Sequence, residues 1–222
     1  MNALYESYND FLRERVLIPF YQKRLESLKK LKLEDVLKRK NPYLFKAKNI
    51  EISGDLVKGI IDAFLSSQEE TTFGNLLETF AIFVSHQSDQ GFKSKLKSID
   101  LEFQRDGIYY IVGIKSGTNW GNADQINAMI GNFKQAKAKL RADGVAGEII
   151  AVNGCMYGTE AHPRKSPHSR KAVTPTVLDP DELYYKYAGQ DFWAFLSGDD
   201  HLYREIIKPF DQEARLKDEE FK

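Results

Sequence analysis

From Ser98 to Lys115 the chain reads SIDLEFQRDGIYYIVGIK, two runs of alternating apolar and polar positions separated by Asp106-Gly107. A period of two marks a half-buried strand. Asp-Gly between two such runs predicts a tight hairpin, because a two-residue type I′ turn needs positive φ at both positions. With those residues as the loop, counting sets the register: Gln104 opposite Tyr109, Glu102 opposite Ile111, Asp100 opposite Gly113, Ser98 opposite Lys115. Asp100 and Glu102 then share one face, and Lys115 lies diagonally across from Asp100 at about 7–8 Å.

Helical spacing dominates elsewhere. Leu4, Tyr8, Phe11, Leu12, Leu25 and Leu28 predict an amphipathic N-terminal helix, which Pro19 is expected to divide in two. Ser53 is the expected N-cap of a helix ending near Leu65, and SSQEE then connects to a second helix from Thr72 to His86. From Leu76 to Val84 this second helix is apolar nearly all round, which predicts burial, yet Glu78 sits in its middle. A buried carboxylate is costly unless it is paired or binds a metal; the alternative is a Glu at the exposed margin. Gln87 to Lys97 reads as a polar, mobile connection. Asn122 to Ala142 repeats apolar residues at Ile126, Met129, Ile130, Phe133, Ala136 and Leu140, with Lys134, Lys137 and Lys139 on the other, solvated side. Glu148 to Val152 is a short strand, and strand–helix–strand predicts that it runs parallel to the strand carrying Lys115. Thr159 to Thr176 reads as a loop. Two short helices near Asp191–Leu196 and Asp200–Ile207 and a charged tail complete the chain.

Composition narrows the function classes. The chain has 222 residues, 42% of them apolar and 12% aromatic, enough for one domain with a sizeable core. A net charge of zero argues against a protein that coats polyanions, but leaves room for local basic patches. Between Lys23 and Lys48 there are ten Lys or Arg against three Asp or Glu, and Arg164 to Lys171 is a second basic stretch. Each reads as a solvated surface or as a grip on phosphates. The single cysteine, Cys155, excludes an intramolecular disulfide and a multi-cysteine zinc site. With His162 and His168 it still lacks a fourth ligand, so it reads as a small core residue at a strand end. No apolar run approaches the roughly 18 residues of a membrane span; a soluble, cytoplasmic protein is expected. Nucleotide-loop and nucleophile-elbow strings are absent.

The hairpin carries the chemistry. Two carboxylates and an amine on one strand pair suit metal-dependent phosphodiester hydrolysis, in which the metal relieves charge and a lysine orients water or stabilises the leaving oxygen. Asp100 is the first metal ligand, and the Ile114 carbonyl offers a second oxygen suited to Mg²⁺. Surface strands also carry such residues as plain cross-strand ion pairs. Against that, the Lys115 face otherwise reads Tyr109, Ile111, Gly113, and a polar turn beginning at Ser116 follows at once. In that turn Asn119, Asn122 and Gln125 carry amides able to pair with adenine or donate to phosphate, and Trp120 can pack on a sugar. Alternatively Asn122 caps the following helix.

Asp100 followed after fourteen residues by Lys115, on an adjacent strand, resembles the PD-(D/E)XK nuclease core. The strings FGNLLETFAIFV, SIDLEF, YYIVGIKSGTNWGNADQI, AVNGCMYG and GQDFWAFLSG resemble the PmeII-like type II restriction endonucleases over roughly Asn41 to Pro209. The resemblance implies an α/β fold, a restriction-endonuclease-like core with a mixed central sheet flanked by helices. It also implies a single nuclease domain over 1–222, with a basic helical arm over 1–50 and a catalytic core over 51–210. The expected activity is Mg²⁺-dependent cleavage of double-stranded DNA at a short palindromic site by a homodimer in a prokaryotic cytoplasm, with a companion DNA methyltransferase in the same system. Asp100 and Lys115 are the expected catalytic residues. Where that core expects an acid two residues before the lysine, this chain has Gly113; Glu102 and Glu78 are the candidates to replace it. The rival readings are a structure-specific repair or junction nuclease, a catalytically inactive DNA-binding module, and a structural α/β protein.

Overall fold

The computed structural model describes residues 3–32, 34, 43, 47, 53–159, 164–166 and 180–220. The expected Asn41-Pro42-Tyr43 edge, most of the basic stretch after Lys32, and His162 and His168 lie outside these residues or at single described positions. Helix α1 (Ala3–Phe11) runs through a π-helical segment (Leu12–Leu17) into α2 (Ile18–Lys30). Pro19 does not divide the helix as expected. It falls in the first turn of α2, where its missing N–H costs little, and Phe11, Leu17 and Ile18 all keep right-handed helical φ and ψ. The widened π turn ahead of Pro19 absorbs the local disruption.

Helix α3 (Ser53–Asp89) is a single element of 37 residues, so the expected break at SSQEE is absent. That stretch contains neither Gly nor Pro. Gln68, Glu69 and Glu70 are good helix formers, and local and tertiary contacts add to them: the Thr71 hydroxyl donates to the Ser67 carbonyl at 3.1 Å, and Arg24 on α2 pairs with Glu69 at 2.7 Å.

Among the described residues six strands follow, β1 (Phe92–Lys93), β2 (Leu101–Arg105), β3 (Ile108–Lys115), β4 (Ile149–Cys155), β5 (Arg164–Ser166) and β6 (Tyr184–Ala188), in the spatial order β1-β2-β3-β4-β6-β5. Asp106 and Gly107 take φ of 51° and 77°, as a type I′ turn requires. The ladder is the counted one, with Glu102 opposite Ile111 and Gln104 opposite Tyr109. It stops at Leu101, because Ser98 enters a turn with φ of 61° and the Asp100 N–H bonds to Val112, so the expected pairings of Asp100 with Gly113 and of Ser98 with Lys115 do not form. Strand β4 pairs parallel with β3, as the βαβ pattern requires, and β6 pairs parallel with β4. The segment read as mobile instead supplies β1, pairing Lys93 with Leu101. Strands β5 and β6 were not anticipated, although Tyr-Tyr-Lys-Tyr-Ala is a strand-favouring sequence.

Helix α4 (Ala123–Ala142) covers one face of the sheet, where Ile111, Ile149 and Ala151 meet Met129, Ile130 and Phe133. Its Lys137 is not solvated as expected: it is 3% exposed, with its ammonium donating to the carbonyls of Leu183 at 3.0 Å and Pro180 at 3.5 Å. The other face packs against α1, α3 and α5 (Gln190–Ser197) through Tyr8, Leu12, Phe80, Phe103, Val112 and Trp193. After α6 (Leu202–Glu205), the charged tail folds as α7 (Ile207–Glu220), whose nearly buried Glu213 pairs with Arg13. Among the described residues no helix is long and apolar enough to cross a membrane.

Arg105 ties the turn end of the hairpin to two helices. It chelates Asp89 at the end of α3 through two guanidinium nitrogens, and donates to the Phe195 carbonyl of α5 at 2.9 Å. Burial disfavours the Asp89 charge, but the hydrogen bonds from Arg105 and Ser88 outweigh it and hold the carboxyl below its ordinary pKa. A carboxylate depressed in the folded state contributes stability above its unfolded pKa and loses it as pH falls through the folded one. Asp89→Asn is therefore expected to lower stability at neutral pH and to flatten its decline below about pH 4, as read by urea unfolding across pH. Continuity of α3 predicts that Gln68→Pro destabilises by about 3 kcal/mol or more, whereas a connecting loop would tolerate it; denaturant midpoints decide.

Candidate active site

Asp100 immediately precedes β2 and is anchored by its own backbone. Its N–H donates to Val112 at 2.8 Å, and its carbonyl accepts from Ser94 at 3.2 Å. Its side chain turns to the end of β3, where Oδ2 accepts the Ile114 N–H at 2.7 Å. In an extended strand a residue's N–H and C=O point to the same side, so the Ile114 carbonyl is directed to the Asp100 side of β3 as well. Asp100 and Ile114 thus meet where the hairpin opens, at the carboxyl end of the parallel strands.

Helix α3 brings a second carboxylate there. Glu78 Oε1 accepts from the Lys93 ammonium at 2.5 Å, and the same nitrogen lies 3.4 Å from Asp100 Oδ1. The three side chains span α3, β1 and the start of β2. Glu78 and Asp100 are mostly covered, at 24% and 19% exposed, and Lys93 reaches them from the solvent side at 55%. Desolvation works against the Lys93 charge, but the bonds and charges of Glu78 and then Asp100 prevail and raise its pKa. One turn before Glu78, a Cβ at Gly74 would sit 2.9 Å from the Ser116 hydroxyl, so α3 passes directly against the residue after Lys115.

Glu102 sits elsewhere. It is 5% exposed and accepts the Tyr109 hydroxyl at 2.8 Å on the α4 face of the sheet. Burial, and then that bond, raise the Tyr109 pKa above its ordinary value. The space over Gly113, where the core pattern expects an acid, is taken by α4: a Cβ there would lie 3.4 Å from the Phe133 ring, which is 1% exposed. A Cβ at 113 would be in ordinary van der Waals contact with that ring.

Lys115 is half-buried, with its ammonium 5.2 Å from the centroid of the Trp120 ring, a cation–π distance. Trp120 therefore anchors the turn against the lysine. Ser116 and Asn119 are exposed on that turn. Asn122 and Gln125 form a reciprocal capping box on α4, each side chain bonded to the other's backbone N–H at 3.0 Å, so both amides are engaged in holding the helix start. Cys155 is fully buried at the end of β4.

The donor set suits a hard divalent ion. Two carboxylate oxygens already flank one positive charge, and Mg²⁺ commonly takes only one or two carboxylates besides water and substrate oxygens. Among the described residues there is no cluster of three or more His, Cys, Asp and Glu able to hold a metal. Sequence reading missed Lys93, Tyr109 and Phe133. A two-residue strand shows no periodicity, and neither a hydroxyl bonded across the hairpin nor a ring filling a glycine's space leaves a trace in spacing.

The family model described as type II restriction endonuclease EcoO109I matches residues 7–218. No curated protein matches the chain closely enough to add to this.

Tyr109→Phe removes the hydroxyl that donates to the nearly buried Glu102 carboxylate. It is expected to destabilise the fold by about 1–3 kcal/mol in equilibrium unfolding, while leaving the separate Glu78–Lys93–Asp100 group in place.

Proposed function

The chain belongs to the type II restriction endonuclease EcoO109I family, and we propose that it hydrolyses duplex DNA at a short specific sequence with Mg²⁺ held by Asp100 and Glu78. The observation that carries this reading is the meeting of those two carboxylates on a single cation beside the β3 end that bears Lys115. On this reading the chain has a PD-(D/E)XK core of the PmeII-like kind in which the acid expected at 113 has moved to α3. The Ile114 carbonyl would add a third oxygen. When bound, the ion would supply charge relief at the phosphate and activation of the attacking water.

The remaining chemistry falls to the chain itself. Lys115, at the end of β3 where it pairs only with β4, would present its ammonium to a phosphate oxygen or to the attacking water, with Trp120 limiting where it can swing. Ser116, Asn119 and Trp120 would contact DNA directly. Asn122 and Gln125 would shape the turn through the cap and contribute amides where the cap opens. Glu102, bonded to Tyr109, would support the hairpin rather than hold the ion. Two copies related by a dyad would cut both strands of a palindrome, and a companion methyltransferase would protect the host site.

The test is cleavage of long unmethylated DNA by wild type, Lys115→Ala, Glu78→Gln and Glu102→Gln, in Mg²⁺ or EDTA. Discrete fragments are expected only from active protein in Mg²⁺, with Lys115→Ala and Glu78→Gln each slower by about 10²-fold or more. Glu102→Gln should retain most activity per folded molecule. A smear would point to a nuclease guided by DNA structure, and intact DNA with specific binding would point to an inactive module. Loss in Glu102→Gln with activity kept in Glu78→Gln would reverse the assignment of the acid.

A further inference from the structure

Two carboxylates brought together in a mostly covered site repel each other unless a positive charge sits with them. In this protein that charge is Lys93, 2.5 Å from Glu78 and 3.4 Å from Asp100. The lysine stands on a two-residue edge strand whose residues are both exposed, so its ammonium can withdraw into solvent without repacking any core side chain. Glu78 and Asp100 have no such freedom. One sits on a long helix against the core, and the other is held by the Val112, Ser94 and Ile114 backbone bonds.

We infer that Lys93 is a resident counter-ion: its ammonium holds Glu78 and Asp100 in the metal-free protein, and a divalent cation must displace it to bind there. The inference rests on the reading of Glu78 and Asp100 as the metal-holding pair. Binding is then an exchange of one cation for another at the same oxygens, and the lysine sets the concentration at which the exchange occurs. Lys95, two residues on, is exposed and carries the same charge with no ion pair among the described residues, which makes it the control for general charge loss.

The experiment is isothermal titration of MgCl₂ and of MnCl₂, without DNA, into wild type, Lys93→Met, Lys93→Arg and Lys95→Met, together with thermal melting in EDTA and in MnCl₂. Lys93→Met is expected to bind both ions about two- to fivefold more tightly, the scale of a partly exposed ion pair no longer to be broken. It should also melt lower than wild type in EDTA, with the gap closing when Mn²⁺ takes over as counter-ion. Lys93→Arg should behave as wild type, and Lys95→Met should show no gain. Equal affinity in wild type and Lys93→Met, or the same gain in Lys95→Met, would overturn the counter-ion role while leaving the metal site standing. Failure of every variant, wild type included, to bind either ion would overturn the metal reading itself.

Discussion

The register of one hairpin governs the rest of the molecule. A two-residue turn with both central φ angles positive permits only one alignment of β2 with β3, and a slip of one residue would turn every side chain to the opposite face. In the alignment that forms, Leu101, Phe103, Val112 and Ile114 enter the core shared with α1, α3 and α5, while Ile111 enters the core under α4. The same alignment brings Asp100 beside Ile114. Packing and chemistry are thus consequences of one turn, and Arg105 locks that turn to the end of α3 and to α5.

The polar groups near the sheet's open end fall into two separate sets. Glu102 is paid for by Tyr109 on the α4 side. Glu78 and Asp100 are balanced by Lys93 on the opposite edge. Each carboxylate has a partner, as mostly covered charges require. The difference lies in how the partner is held. Tyr109 is a neutral hydroxyl fixed in a central strand, whereas Lys93 is an ammonium on a two-residue edge strand, so only the second set balances its carboxylates with a positive charge. Phe133 packs over Gly113 on the α4 side, within ordinary contact of where a Cβ would lie.

The length of α3 makes the second set possible. Had the chain broken at SSQEE, the helix carrying Glu78 would have been a short segment free to tilt. Continuous through that stretch and tied to α2 by Arg24 and Glu69, it presents Gly74 to Ser116 and Glu78 to Lys93 along one stripe. The N-terminal helices reinforce it from behind, with Tyr8 and Phe11 set against Phe80 and Phe83.

The sequence by itself determined the features governed by local period and turn chemistry. These are the β2–β3 register, the parallel β4 after a long capped helix, the burial of the α3 segment around Phe80, and the placing of Asp100 and Lys115 at one end of the hairpin. Each is written in neighbouring residues. Tertiary structure alone decided what depends on long-range packing. The SSQEE stretch joins the long helix α3, with Arg24 on α2 pairing to Glu69 within it. The polar run after α3 became an edge strand because β2 offered it a partner. Lys137 became buried because the carbonyls of Pro180 and Leu183 receive its ammonium. Above all, the sequence left Glu78 and Glu102 both open as replacements for the acid missing at Gly113, with only a slight lean to the helical Glu78. Only the approach of α3 to β1 sets Glu78 beside Asp100, because proximity across elements is a property of the packed chain and not of any spacing along it.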